Sequence, residues 1–186
     1  MWIRSALSAA QPVTVPRASS SVDSGDGGSP SPLWVAAREV CDGGDADRAT
    51  RLVEAAEAGE DRYTLDAVGR DEEAFVSGTP LWLACLATRN GVPGAARLAE
   101  AMVAAGADPN VFGAQGIAGD ASAPLWWAAA AVEAGVPGAL GLVDALIAAG
   151  ADVNAVGTYD VAGGRPGSIA SLFSSAPSSR RPFESH

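Results

Sequence analysis

Lysine is absent from this chain: all 12 basic residues among its 186 are arginine, set against 22 acidic ones, for a formal charge of −10. A cationic face able to neutralise phosphates is therefore missing, which argues against nucleic acid or an anionic membrane as the partner. A coding bias that also favours Ala and Gly accounts for the missing lysine without any mechanism. Histidine occurs once, as His186, so neither a nucleophile–histidine pair nor a histidine-based metal site can be assembled within the fold. The two cysteines, Cys41 and Cys85, are too few for a disulfide scaffold or a zinc site and read as buried thiols in a reducing compartment. No apolar run approaches the roughly 18 to 20 residues that cross a bilayer. The expected protein is soluble and cytoplasmic. Residues 1–22, with Arg4, Arg17 and no acid, leave an organelle-targeting leader as the alternative.

What is present is repetition. Ser31-Pro32-Leu33-Trp34, Thr79-Pro80-Leu81-Trp82 and Ala123-Pro124-Leu125-Trp126 are three copies of one phrase. The last two end downstream in Gly106-Ala107-Asp108-Pro109-Asn110 and Gly150-Ala151-Asp152-Val153-Asn154. A phrase recurring at a fixed offset signals a stack of like units. The opening prolines fall at Pro32, Pro80, Pro124 and, in a degraded copy, Pro166, so the spacings are 48, 44 and 42.

Within the second unit, Thr79 can cap a helix whose first residue, Pro80, loses nothing by lacking an N–H. Leu81, Cys85 and Leu86 recur at helical spacing, with Ala84 and Ala87 permitting close approach, until Asn90-Gly91-Val92-Pro93-Gly94 stops the run. A second helix carries Leu98, Met102 and Val103 on one face and ends at Gly106. The third unit repeats the plan with Leu125, Trp126, the turn Gly135-Val136-Pro137-Gly138, then Leu142, Val143, Leu146, Ile147 and the cap Gly150. In the first unit Asp42-Gly43-Gly44-Asp45 replaces the turn, and Ala58-Gly59-Glu60-Asp61 stands where the closing phrase is expected.

The paired Thr-Pro-Leu-x-x-Ala opening and Gly-Ala-Asp-x-Asn closing resembles the ankyrin repeat, over about residues 31–175. The resemblance implies helix–turn–helix units, each followed by an outward loop or hairpin, stacked into a curved solenoid that binds other proteins. Two departures mark it. The usual histidine of the opening is Trp34, Trp82 and Trp126 here, so its side-chain hydrogen bond is expected to be replaced by aromatic packing. The units also exceed the roughly 33 residues of the pattern.

The expected class is all-α, an ankyrin-like solenoid with long outer loops. Its units are 31–78, 79–122, 123–164 and a partial one at 165–175, between a disordered arm at 1–30 and a disordered tail at 176–186. The arm, rich in Ser, Pro and Gly, has too few large apolar side chains to offset the entropy of ordering it.

No catalytic, cofactor or metal residues stand out. Glu72 beside Glu73 is an acid pair of the kind found in any acidic loop, and Gly113-Ala114-Gln115-Gly116 follows a closing turn rather than a strand entering a helix. Residues 38–73 hold twelve carboxylates against five arginines, a local −7 that a basic partner would meet, or that simply keeps the array soluble.

The expected function is non-catalytic binding of a protein partner by a monomer, through a concave face of first helices and through the loops 61–78, 111–122 and 155–164. Aromatic and arginine residues are enriched at binding hot spots. Candidates are therefore Tyr63, Phe112, Gln115, Trp127 and Tyr159, with Arg62, Arg70 and Phe75 beside them. Each loop aromatic has packing on its own loop as the plainer role. Trp127, following Trp126, is expected to be partly exposed on the concave side or packed against the degraded fourth unit. An enzyme or small-molecule binder using an acidic cleft between units is the alternative.

Overall fold

The computed structural model describes residues 30–58, 65–116, 120–157 and 167–168. The expected arm, the tail, Arg62, Tyr63 and Tyr159 lie outside these residues.

Among the described residues six helices come in three pairs: α1 (Pro32–Cys41) with α2 (Ala46–Ala58), α3 (Pro80–Arg89) with α4 (Ala95–Ala104), and α5 (Pro124–Glu133) with α6 (Ala139–Ala148). The opening phrase starts the first helix of each pair. Ser31 Oγ accepts the Trp34 N–H at 3.2 Å, and Thr79 Oγ1 accepts the Trp82 N–H at 3.2 Å. Ala123 has no side chain to cap with, and its carbonyl accepts the Trp126 N–H at 3.0 Å instead. The second helices stop at Gly106 and Gly150, whose φ values of 92° and 91° belong to the left-handed region that glycine enters without cost. The N–H groups of Ala107 and Ala151 then return to Met102 and Leu146 of the last turn.

Helix α1 packs on α3 and α3 on α5, while α2 packs on α4 and α4 on α6, so the pairs follow one another in sequence order. Alanine makes the first-helix layer tight. Residues 80–88 of α3 are all buried, and so are 124–129 of α5. Leu81, Trp82, Leu83, Leu98, Met102, Leu125, Leu142 and Leu146 are the large side chains with almost no exposure.

The expected all-α class needs correction at the outer loops, which fold into antiparallel hairpins. These are β1 (Gly69–Asp71) with β2 (Val76–Gly78), β3 (Gly113–Gln115) with β4 (Asp120–Ser122), and β5 (Val156–Gly157) with β6 (Gly167–Ser168). Strand β2 also pairs with β3, through Val76↔Gln115 and Ser77↔Ala114, so the first two hairpins make one four-stranded sheet in the order β1-β2-β3-β4. Edge pairing between neighbouring hairpins supplies main-chain hydrogen bonds that loops of Gly, Ala, Ser and Asp would otherwise give to water.

The three hairpins share one register. Gly69↔Gly78, Gly113↔Ser122 and Gly157↔Gly167 are equivalent pairs, and the opening proline follows two residues after Gly78 and Ser122. Counted the same way, the position two residues after Gly167 is Ile169, which like the Pro166 expected to open a fourth unit lies outside the described residues. Asp66 accepts the Asp108 N–H at 2.8 Å, as Asn110 accepts the Asp152 N–H at 2.8 Å, so Asp66 stands to the second helix pair as Asn110 does to the third; residues 59–61, in the segment expected to hold the closing phrase of the first unit, lie outside the described residues.

Candidate functional site: the hairpin sheet and its flank

The tryptophans of the opening phrase join the helices to the sheet. Trp34 Nε1–H donates to the Gly78 carbonyl at 2.8 Å, and Trp82 Nε1–H donates to the Ser122 carbonyl at 2.9 Å. Beyond the aromatic packing expected of it, each indole thus makes a side-chain hydrogen bond, to the last residue of its own hairpin. Each indole face is covered by a glycine: a Cβ on Gly69 would lie 2.4 Å from the Trp34 ring, and one on Gly113 would lie 2.3 Å from that of Trp82. Only a residue without a side chain lets the strand lie on the ring.

The first hairpin is fixed by Asp71. Its Oδ1 accepts the N–H groups of Glu73 at 3.1 Å and Ala74 at 3.0 Å, and its Oδ2 accepts from Arg38 Nε at 3.2 Å. The Ala74 N–H, followed by the Arg38 charge, holds the Asp71 carboxyl below its usual pKa. Arg38 in turn meets Asp42 at 2.7 Å one helical turn away, and its pair with Asp71 ties α1 to the hairpin. Asp66 behaves oppositely. Burial raises its pKa, the Asp108 N–H opposes that, and the nearby Asp108 charge adds to it.

After the Asp71 turn the chain passes through Phe75 with φ 52°, the one positive φ outside glycine among the described residues. Such a conformation in a bulky residue stores strain. Its carbonyl accepts the Gly116 N–H at 2.9 Å, carrying the pairing of β2 and β3 to the hairpin tips. The Phe75 side chain is 53% exposed.

Phe112 is 44% exposed, immediately before Gly113. Val68, immediately before Gly69, is 55% exposed. Because β1 and β3 flank β2 and run the same way, Val68 and Phe112 stand at the same end of the sheet, about 10 Å apart by strand spacing. Sequence reasoning missed Val68, although aligning Trp34…Gly69 with Trp82…Gly113 would have found it. Gln115 ends β3 half-buried, its Oε1 enclosed without a hydrogen-bond partner among the described residues.

Trp127 is not exposed. It is 97% buried by its 3% residual accessibility and lies edge-on to Trp82, ring centroids 6.0 Å apart at 81°. Trp126 and Trp127 do point apart, but α5 has buried surroundings on both sides. At the equivalent positions of the other first helices, Leu83 is fully buried and Val35 half-buried.

An open groove of about 370 Å³ runs between the interhelical turns of the first two pairs, lined by Gly43 to Asp47 and Val92 to Gly94. Its Asp45 Oδ1 is occupied by the Asp47 N–H at 2.9 Å. Among the described residues no three or more His, Cys, Asp or Glu side chains are grouped to hold a metal ion, and no helix is long and apolar enough to cross a membrane. No protein-family model matches the chain, and no curated protein and no solved structure matches it significantly.

Proposed function

We propose that the chain is a short ankyrin-like solenoid that binds another protein, without catalysis, through the flank of its hairpin sheet. Supporting the solenoid are the serial packing of three helix pairs and the pairing of neighbouring hairpins. The observation that carries the binding reading is the placement of Val68, Phe75 and Phe112, exposed apolar side chains on the sheet, whereas the exposed Leu140 and Ile147 lie on α6, the last helix described. An aromatic on a rigid strand end contributes contact area at little entropic cost on binding. First-helix faces are left out of this surface because α3 and α5 have nothing to offer at Leu83 and Trp127.

The test is cross-linking and quantitative affinity capture with the full chain against its Val68→Ser/Phe112→Ser variant. Capture of a partner is expected to fall at least tenfold while the melting temperature stays within a few degrees. Unchanged capture overturns the surface, and a wild-type chain that captures nothing at micromolar concentration overturns the binding role.

A further inference from the structure

The sheet ends at β1, and the direction of its main-chain groups can be worked out. The Gly116 N–H donates to the Phe75 carbonyl, so the N–H of Val76, in the same peptide unit, points the other way, toward β1. Alternation along an antiparallel strand then sends Ser77 to β3 and both Val76 and Gly78 to β1, where they meet Asp71 and Gly69. Arg70 therefore turns both its N–H and its carbonyl outward. In the second hairpin the residue equivalent to Arg70 is Ala114, which is paired with Ser77, and the equivalent of Glu72 is Gly116, whose N–H is the one bound by Phe75. At β1 the same three groups, Arg70 N–H, Arg70 C=O and Glu72 N–H, meet no strand among the described residues.

The pairing of β2 with β3 thus shows what fits there: an extended segment running antiparallel to β1, with one residue in the place of Ser77 and another in the place of Phe75. Its charge follows from the surroundings. Glu72 and Glu73 are exposed beside the edge and make no ion pair among the described residues, within the stretch 38–73 that carries a net −7. A second copy would bring that same acidic stretch against itself, and the chain's own outer segments match it poorly, with two arginines and two aspartates at 1–29 and only Arg180 and Arg181, against Glu184, at 169–186.

We propose that the outer edge of β1 is a docking site for an extended, lysine- or arginine-rich segment of another protein, which adds as a further antiparallel strand on Arg70 and Glu72. This deepens the protein-binding reading and rests on it. Main-chain hydrogen bonds give such a site its geometry, and the charge beside it selects the partner.

The probe is a blocked twelve-residue peptide of alternating Lys and Val, with a Glu-Val peptide as control, added to the full isotope-labelled chain while amide exchange is followed by NMR. The Lys-Val peptide is expected to slow exchange of the Arg70 and Glu72 N–H groups at least tenfold, and Glu72→Lys/Glu73→Lys to weaken its binding at least tenfold. Arg70→Pro, tolerated on an edge whose N–H faces outward, is expected to abolish binding while Gly69 and Gly78 stay paired. No slowing at millimolar peptide, or equal slowing by Glu-Val, overturns the proposal. So does protection of both amides in the free chain, which would mean that its own residues or a second copy already occupy the edge. Any of these leaves the Val68/Phe112 capture result standing, and loss of that result leaves the edge measurement readable, so the two failures are distinct.

Discussion

The helical layers and the hairpin sheet come from one repeated sequence unit, yet they are made of different materials. The first-helix layer is Leu, Trp, Ala and Cys with every position of 80–88 inside, and its stability is a matter of apolar contact. The hairpins are mostly Gly, Ala, Ser and Asp in strands of two or three residues, too short and too poor in β-branched or aromatic side chains to persist alone. It depends on the helices for support, and Trp34 and Trp82 are where that support is delivered. The strained Phe75 and the exposed Phe112 sit on the dependent side.

The largest effect should come from cutting that connection. Trp82→Ala removes a fully buried side chain, its bond to Ser122 and its contact with Trp127, and is expected to cost about 3 to 5 kcal/mol in denaturant unfolding. If instead the sheet stands without the indole, the loss will be confined to the helices and the hairpin amides will keep their exchange protection. Gly113→Ala approaches the same joint from the strand: a methyl 2.3 Å from the ring forces a shift expected to cost about 1 to 3 kcal/mol. A neutral result would show that the sheet slides freely over the helices.

How far these two regions could be read in advance differs for physical reasons. The helices were legible because Thr79, Pro80, Gly106 and Gly150 mark their ends and leucines recur on one face. The hairpins carry no alternation: Gly-Arg-Asp, Val-Ser-Gly and Gly-Ala-Gln look like loop, and only their edge pairing makes them strands. Ile147 shows the limit of periodicity. Spaced as a core residue, it is 47% exposed, because its counterpart Val103 is covered by the following pair while nothing described covers α6. At the site, Phe112 was legible as an aromatic in a loop. Trp127 was misjudged because a helix lying between neighbours can bury two adjacent residues.

Smaller effects sharpen the contrast within the sheet. Phe75→Gly relieves the left-handed strain and is expected to stabilise the chain by about 1 kcal/mol, measured as a rise in melting temperature. A fall would mean that the ring packs more than its exposure shows. Asp66→Asn installs in the first unit the amide that Asn110 uses to bridge the Asp152 N–H and the Gly150 carbonyl, the latter at 3.1 Å. It is expected to add about 0.5 kcal/mol at neutral pH. Since the Asp66 pKa is raised in the folded chain, the folded state holds the proton more tightly, so ionised Asp66 costs stability above that pKa. The advantage of Asn should shrink as the pH falls through the carboxylate range. An advantage independent of pH would remove the charge from the explanation.

Cys41 Sγ–H donates to the Leu83 carbonyl at 3.1 Å, across the boundary between the first and second helix pairs, and burial pushes its pKa up to about 12. Cys85 is buried nearby, and burial raises its pKa as well. Neither thiol is a ready nucleophile while the pairs are joined. The chain thus carries its own clock for parting of that seam: Cys41 is half-buried, but Cys85 is fully enclosed, and the rate at which a thiol reagent labels Cys85 at neutral pH counts the openings, with no foreign reporter introduced.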